Sequence, residues 1–303
     1  MSHSEAMARK SGGQAVFEGV MMRGDDRWAV AVRTPSGEIE VLTAELPQFA
    51  PRLKKVPLLR GILALAEALP LGMRALKWSA VHGLGQAERK ATPWERVVQA
   101  ATIVVVVCAV VTIPAYATDW LVGGLHNGLV SALVENVWSI GILVAYAAAV
   151  GRLSAVRRLF ENHGAEHKVV AADEAGVELT PENAAVYSTR HIRCGTSLLL
   201  VIGVVSGIFY VLLGHHALPG MLASRVAVIP LVAAISTELQ MRASANIHRA
   251  WVRVLVRPGL ALQRLTTREP SLDQLEVAIV ALKAAYGEEI VPVTPVAAGL
   301  VPA

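Results

Sequence analysis

The sequence predicts an α-helical integral membrane protein with about four transmembrane helices, a small cytoplasmic β unit and amphipathic surface helices. Three observations predict it. Of 303 residues, 54% are hydrophobic and only 17% charged, against roughly 25% charged in ordinary soluble domains, and the mean hydropathy is +0.49. Long stretches run without a charge, and Lys and Arg gather at their ends. A simple soluble enzyme does not fit this balance. The net charge of +4 and pI near 9.2 would suggest nucleic acid in a soluble chain. Here the cations flank apolar runs, where membrane topology accounts for them, and no nucleic-acid partner is evident. Two cysteines, Cys108 and Cys194, cannot form a disulfide framework.

Taken in order, residues 1–13 are polar and lack the apolar core of a secretory signal. Residues 12–50 read as the cytoplasmic β unit. QAVFEGVMMRG and RWAVAVRTPSGEIEVLTAEL alternate in polarity, and turn signals fall at Gly24-Asp25-Asp26 and Pro35-Ser36-Gly37, which predicts a hairpin or three-stranded sheet. Residues 51–96 read as amphipathic interfacial helices. Leu58, Leu59, Ile62, Leu63, Leu69, Met73 and Leu76 alternate with cations, and Pro70 predicts a break between two helices lying on the bilayer.

Residues 97–241 are the membrane domain. Residues 97–118 carry no charge and are long enough to cross the hydrocarbon as a helix. The second span is 134–151, with Glu135 in an interfacial role at its outer end. The third is 196–213, and the fourth, 226–241, is short and contains Pro230 and Glu238. A cytoplasmic loop, 152–195, joins the second and third. In the C-terminal segment, 242–290, Ser271 to Gln274 after Pro270 form a capping box. Leu272, Leu275, Ile279 and Leu282 then make one apolar stripe, expected to pack on the β unit or the surface helices.

The charges orient these spans. Residues 97–151 contain no Lys or Arg, and Arg225 alone sits between the third and fourth spans. Lys77, Arg89, Lys90 and Arg96 precede the first span; Arg152, Arg157, Arg158, Lys168, Arg190 and Arg193 occupy the central loop; Arg242, Arg249, Arg253 and Arg257 follow the fourth. The positive-inside rule puts both termini and the central loop in the cytoplasm. Four spans satisfy this pattern and three do not.

The candidate chemistry lies in residues 157–172, RRLFENHGAEHKVVAA. On a helix, His163 and His167 share a face and can both reach one metal ion. Glu166 lies beside them, close enough to activate water, in the H-x-x-E-H order of inverted zincins. The same five residues would suit an ordinary solvated juxtamembrane helix. His191 and Cys194, at the entrance to the third span, each offer a further ligand. Glu238 is an acid inside a span, which is costly unless it meets a cavity, a partner or an ion. A third ligand and a salt bridge to Arg242 are equally open for it. Arg190, Arg193 and Lys168 could clamp an anion, or simply serve the positive-inside pattern. His215 and His216 read as solvated turn residues and His248 as a reserve ligand. Gly12-Gly13-Gln14 is similar to the GGQ loop of peptide-chain release factors, but a three-residue match before a β pattern reads as a turn into the first strand.

Several blocks in order carry a wider likeness: GGQAVFEGVMMRG, ENHGAEHK, RCGTS, PLVAAISTE and PGLALQRLTTREP followed by QLEVA. With these blocks the chain resembles the YqhQ-like family, bacterial multi-pass membrane proteins often described as predicted metal-dependent enzymes. The resemblance covers nearly the whole chain, implies a bacterial inner membrane, and places His163, Glu166, His167, Arg193, Cys194 and Glu238 inside the family's motif blocks. It implies no substrate.

The expected function is therefore a metal-dependent hydrolase at the cytoplasmic membrane face. His163, His167 and Glu238 are the expected ligands, with Cys194 or His191 as substitutes for Glu238. Glu166 would activate water and Arg193 orient an anionic substrate, with zinc the default divalent metal for such a donor set. The alternative is a non-enzymatic membrane scaffold or biogenesis factor whose first 90 or so residues dock a cytoplasmic protein partner. Metal transport fits less well, because the spans carry few buried ligands. Membrane lipid is the expected surrounding, and a homo-oligomer is left open.

Overall fold

The computed structural model describes residues 11–46, 56–86, 128–213 and 218–288 continuously, with isolated positions between 53 and 120. Four strands come first: β1 (Gly12–Val16), β2 (Gly19–Arg23), β3 (Arg27–Arg33) and β4 (Ile39–Glu45). They form one antiparallel meander in the order β1-β2-β3-β4, one strand more than the turn signals predicted at most. The first hairpin turns through Phe17 and Glu18, with Val16 opposite Gly19 and Glu18 at φ 53. Gly19 is required there, because a Cβ would stand 1.9 Å from the Ala31 carbonyl oxygen. Gly12 to Gln14 lie within β1 itself, not in a turn before it.

Both faces of the sheet are covered, so β3 reads RWAVAVR with five consecutive residues buried. On one face Val20, Met22, Ala29 and Ala31 pack with Leu275, Ala278 and Leu282 of α8 (Leu272–Ala285) and with Ala165 and Val169 of α3 (Ser154–Glu174). On the other face Val16, Met21, Trp28, Val30 and Val32 meet Leu71 and Ala75 of α1 (Leu59–His82). The period-2 strand pattern thus feeds two cores. The capping box of α8 forms as expected: Gln274 N–H donates to Ser271 Oγ at 3.3 Å and Ser271 N–H to Gln274 Oε1 at 2.9 Å.

Where two helices were expected before residue 96, α1 runs unbroken through Pro70. Its first half packs against the long helix α6 (Leu218–Ala245), so closely that a Cβ on Gly61 would meet Thr237 and Ala234 at 3.0–3.3 Å. Packing on both sides of the proline holds the helix together where a lone peptide would break.

The described residues contain three helices long and apolar enough to cross a membrane, over Leu133–Val150, Gly195–Leu213 and Ala223–Ala245. They belong to α2 (Gly128–Val150), α5 (Gly195–Leu213) and α6. The expected first span, 97–118, lies mainly outside the described residues. The fourth is longer than its sequence pattern implied, because α6 extends beyond 226–241 at both ends, from Leu218 to Ala245. Short helix α4 (Pro181–Ala185) follows α3, and α7 (Ala250–Thr266) follows α6.

Glu135, expected in an interfacial role at the outer end of its span, has an ion-pair partner the sequence did not name. It is buried between helices in a bidentate pair with Arg225, whose Nη2 donates at 2.9 Å. The Tyr210 ring lies 4.1 Å from the same guanidinium. Arg225, expected in a turn, is part of α6. Beside this pair Asn136 Nδ2 donates to Gly203 O at 2.7 Å, and Gly207 leaves it room, since a Cβ there would stand 1.9 Å from that nitrogen.

Candidate metal centre

The three groups that converge are His163, His167 and Cys194, with ligand atoms all within 4.8 Å of one another. The two histidines come from one face of α3, their ring centroids 4.5 Å apart. Cys194 immediately precedes α5. Its Sγ is 3.3 Å from His163 Nε2 and accepts the Thr196 N–H at 3.4 Å.

Each imidazole is held through its outer nitrogen. His163 Nδ1 lies 2.8 Å from Thr266 O and His167 Nδ1 2.6 Å from Thr189 O. A carbonyl only accepts, so Nδ1 carries a proton in each ring, and it is Nε2, the lone-pair nitrogen of that tautomer, that faces the cluster. Ligating histidines are commonly fixed in this way. Gly164 permits it: a Cβ there would come within 2.0 Å of Arg268 O and 3.3 Å of the Thr189 methyl group. Arg268 N–H also donates to Phe160 O at 2.9 Å. Only a residue without a side chain lets the segments bearing Thr189 and Thr266 lie so close to α3.

Glu166 is buried beside the rings. Its Oε1 accepts the Gly13 N–H of β1 at 3.0 Å, and its Oε2 lies 3.5 Å from His167 Nε2 and 4.0 Å from His163 Nε2. Yet His167 Nε2 is fully buried and has no hydrogen-bond partner among the described residues. A carboxylate oxygen facing two imidazole lone pairs makes a concentrated electron-rich spot. Gly13 is tied to this arrangement, because a Cβ would clash with Met21 O at 2.2 Å and approach Glu166 Cγ to 3.1 Å.

The cluster lines a cavity of about 360 Å³. Its other walls are Gly12 to Gln14 of β1, Arg23 of β2, Ala68 and Leu71 of α1, and Arg193. Arg23 pairs with buried Glu67 at 2.9 Å. Arg193 pairs with Glu174 and donates to Ser11 O at 3.3 Å. A hydrogen bond from His191, and then the charge of Arg193, hold the Glu174 carboxyl below the ordinary carboxylate range.

Two expected ligands stand elsewhere. Glu238 takes Arg60 through both oxygens, at 2.8 and 2.6 Å, and Arg242 at 3.0 Å. It is the ionic clasp between α1 and α6, which is why an acid survives in that span. His191 lines the cavity wall, but its Nε2 donates to Glu174 at 3.2 Å and its Nδ1 accepts the Arg193 N–H at 3.4 Å. Both nitrogens are occupied. Lys168 is drawn away from any anion clamp by Ala185 O and Glu269, each at 2.6 Å. Arg190 and His248 are exposed, and His215 and His216 lie outside the described residues.

Sequence reasoning missed the residues that hold the ligands. Gln263, fully buried, accepts the His191 N–H at 2.8 Å, donates to His191 O at 2.8 Å and to Ser197 Oγ at 2.7 Å. It clasps the loop that carries Cys194 as a neighbouring strand would. The signal was present in PGLALQRLTTREP, the block that contains both Gln263 and Thr266, but a buried amide bonding to backbone has no spacing signature.

Residues 56–288 match the family described as Protein of unknown function (DUF1385). The chain is also 32% identical over 286 residues to Uncharacterized protein YqhQ of Bacillus subtilis (strain 168), covering 88% of this chain and 89% of that protein. No solved structure matches. The chain thus belongs to the YqhQ-like DUF1385 family.

Proposed function

We propose that this protein is a metal-dependent hydrolase with its site at the cytoplasmic face of the membrane. One observation carries the reading: two fixed imidazole lone pairs, a thiol and a buried carboxylate oxygen face one another, with His167 Nε2 lacking a hydrogen-bond partner among the described residues. A cation complements such a spot. His163, His167 and Cys194 are the proposed ligands, Cys194 replacing Glu238. Their 3.3 Å Sγ–Nε2 approach is close to the roughly 3.4–3.6 Å between donors around tetrahedral zinc. The ion would supply Lewis acidity and a more acidic water. Glu166, anchored through Oε1 by Gly13, presents Oε2 as the proton acceptor, and Arg193 with Arg23 would receive an anionic group in the cavity.

The orientation rests on the arginines around the spans and on a parity argument. The sheet packs against α3, so both lie on one side, yet α2 crosses once between them. An odd number of further crossings is then needed between residues 86 and 128, which the uncharged stretch 97–118 can supply. Four spans result, with both termini on the arginine-rich side.

Zinc content of the purified full-length protein tests the site, read beside hydrolysis of p-nitrophenyl esters and bis(p-nitrophenyl) phosphate. About one zinc per chain is expected, lost in the His163→Ala/His167→Ala double variant. Glu166→Gln should keep the metal and lose turnover by about two orders of magnitude or more. Metal-free protein that still complements a deletion strain would leave the scaffold reading instead. That second reading is favoured by the exposed apolar row Leu65, Leu69 and Met73 on α1.

A further inference from the structure

A second, unassigned groove lies among α5, α6 and α7, with a volume of about 450 Å³, within the range of small-molecule sites. Its walls are apolar: Leu200 and Val201 of α5, Leu239 of α6, Trp251 and Leu255 of α7. Trp251 and Leu255 are 60% and 69% exposed. Arg242 and Arg249 stand among the lining residues, which include no Asp or Glu.

Depth and charge decide what such a groove takes. It is built from the first turns of α5 and the last turns of α6, so it lies at one end of both apolar helices, where headgroups meet acyl chains. Helix α7 has the form of an in-plane interfacial helix. It turns Val252, Gly259, Leu262 and Gln263 inward and leaves Trp251, Val254 and Leu255 outward among Arg249, Arg253 and Arg257. Gly259 sets it directly on α5, since a Cβ would come within 2.9 Å of Ser197 Oγ. Arg242 is bonded through Nε to Glu238, and its side chain is 66% exposed.

We propose that the groove is a binding site for one anionic phospholipid of the adjoining leaflet, its acyl chain between α6 and α7 and its phosphate on Arg242 and Arg249. Two cations over an acid-free apolar trough select a negative headgroup over a zwitterionic one. The proposal does not depend on a metal at the His163 cluster.

Native mass spectrometry of the full-length protein in detergent, with added phosphatidylglycerol or phosphatidylcholine, tests it. One phosphatidylglycerol per chain should be retained, with phosphatidylcholine held at least about tenfold more weakly. Arg242→Gln/Arg249→Gln should erase that preference, and Ala243→Phe, which fills the trough with both arginines intact, should release the lipid. Equal retention of the two lipids by the unaltered protein would overturn the proposal. So would displacement by inorganic phosphate alone, or full retention by both variants.

Discussion

His163 and His167 are each gripped by a backbone carbonyl through the nitrogen that the cluster leaves over. The arrangement therefore depends on close backbone approach, and Gly164→Ala tests it. Its Cβ would collide with Arg268 O, so the variant should lose about 1–3 kcal/mol of stability. It should also weaken zinc binding through Thr266, as thermal melts and zinc titration would report. Glu174 gives a second prediction. His191, and then Arg193, lower its folded-state pKa, so its stabilising contribution is present above the ordinary carboxylate pKa and is lost as pH falls through the depressed value. Melting temperatures of wild type and Glu174→Gln should differ most near neutrality and converge in acid; parallel curves down to acid pH would contradict this.

Local chemistry was legible at this scale where partners are close in sequence. The i, i+4 histidines and Glu166 could be read from five residues. Of the two readings open for Glu238, the salt bridge to Arg242 forms, but its closer partner Arg60 could not be named, since it stands 178 residues away.

Among elements, the buried Glu135–Arg225 pair joins α2 to α6. Removing one partner strands a charge, whereas an apolar pair of similar volume does not. Arg225→Met should cost about 3–5 kcal/mol in detergent unfolding. Glu135→Leu/Arg225→Met should recover most of it. Helix α1 shows the limit of pattern reading. Pro70 is a valid breaking signal for an isolated helix, and only the packing of Leu71 and Ala75 on the sheet and of Gly61 on α6 keeps it continuous. The β unit was legible from its alternation and turns. Its fourth strand was not counted, because Ile39–Glu45 pairs with β3 yet carries mostly part-exposed residues.

For the molecule as a whole, apolar length made three helices of membrane-spanning length readable from the sequence. The packing of α8 on the β unit followed from its apolar stripe and is observed, whereas the place of α3 beside both could not be read, since no local pattern names a partner so far away in the chain. A crossing within residues 97–118 has a direct readout. A reporter fused near residue 125 should be active on the side opposite to reporters fused after residues 46 or 176. The side of residue 46 for residue 125, with residue 176 opposite, would remove the 97–118 crossing; one side for all three would remove the α2 crossing as well.

Cys194 belongs to the root of a helix long and apolar enough to cross a membrane, whereas the two imidazoles belong to a helix packed against the sheet. An ion gripped by all three would rivet the bundle of apolar helices to the lobe built on the sheet. Zinc loading should then slow amide hydrogen exchange over residues 194–198, and Cys194→Ser should let that turn fray again at unchanged α3 protection.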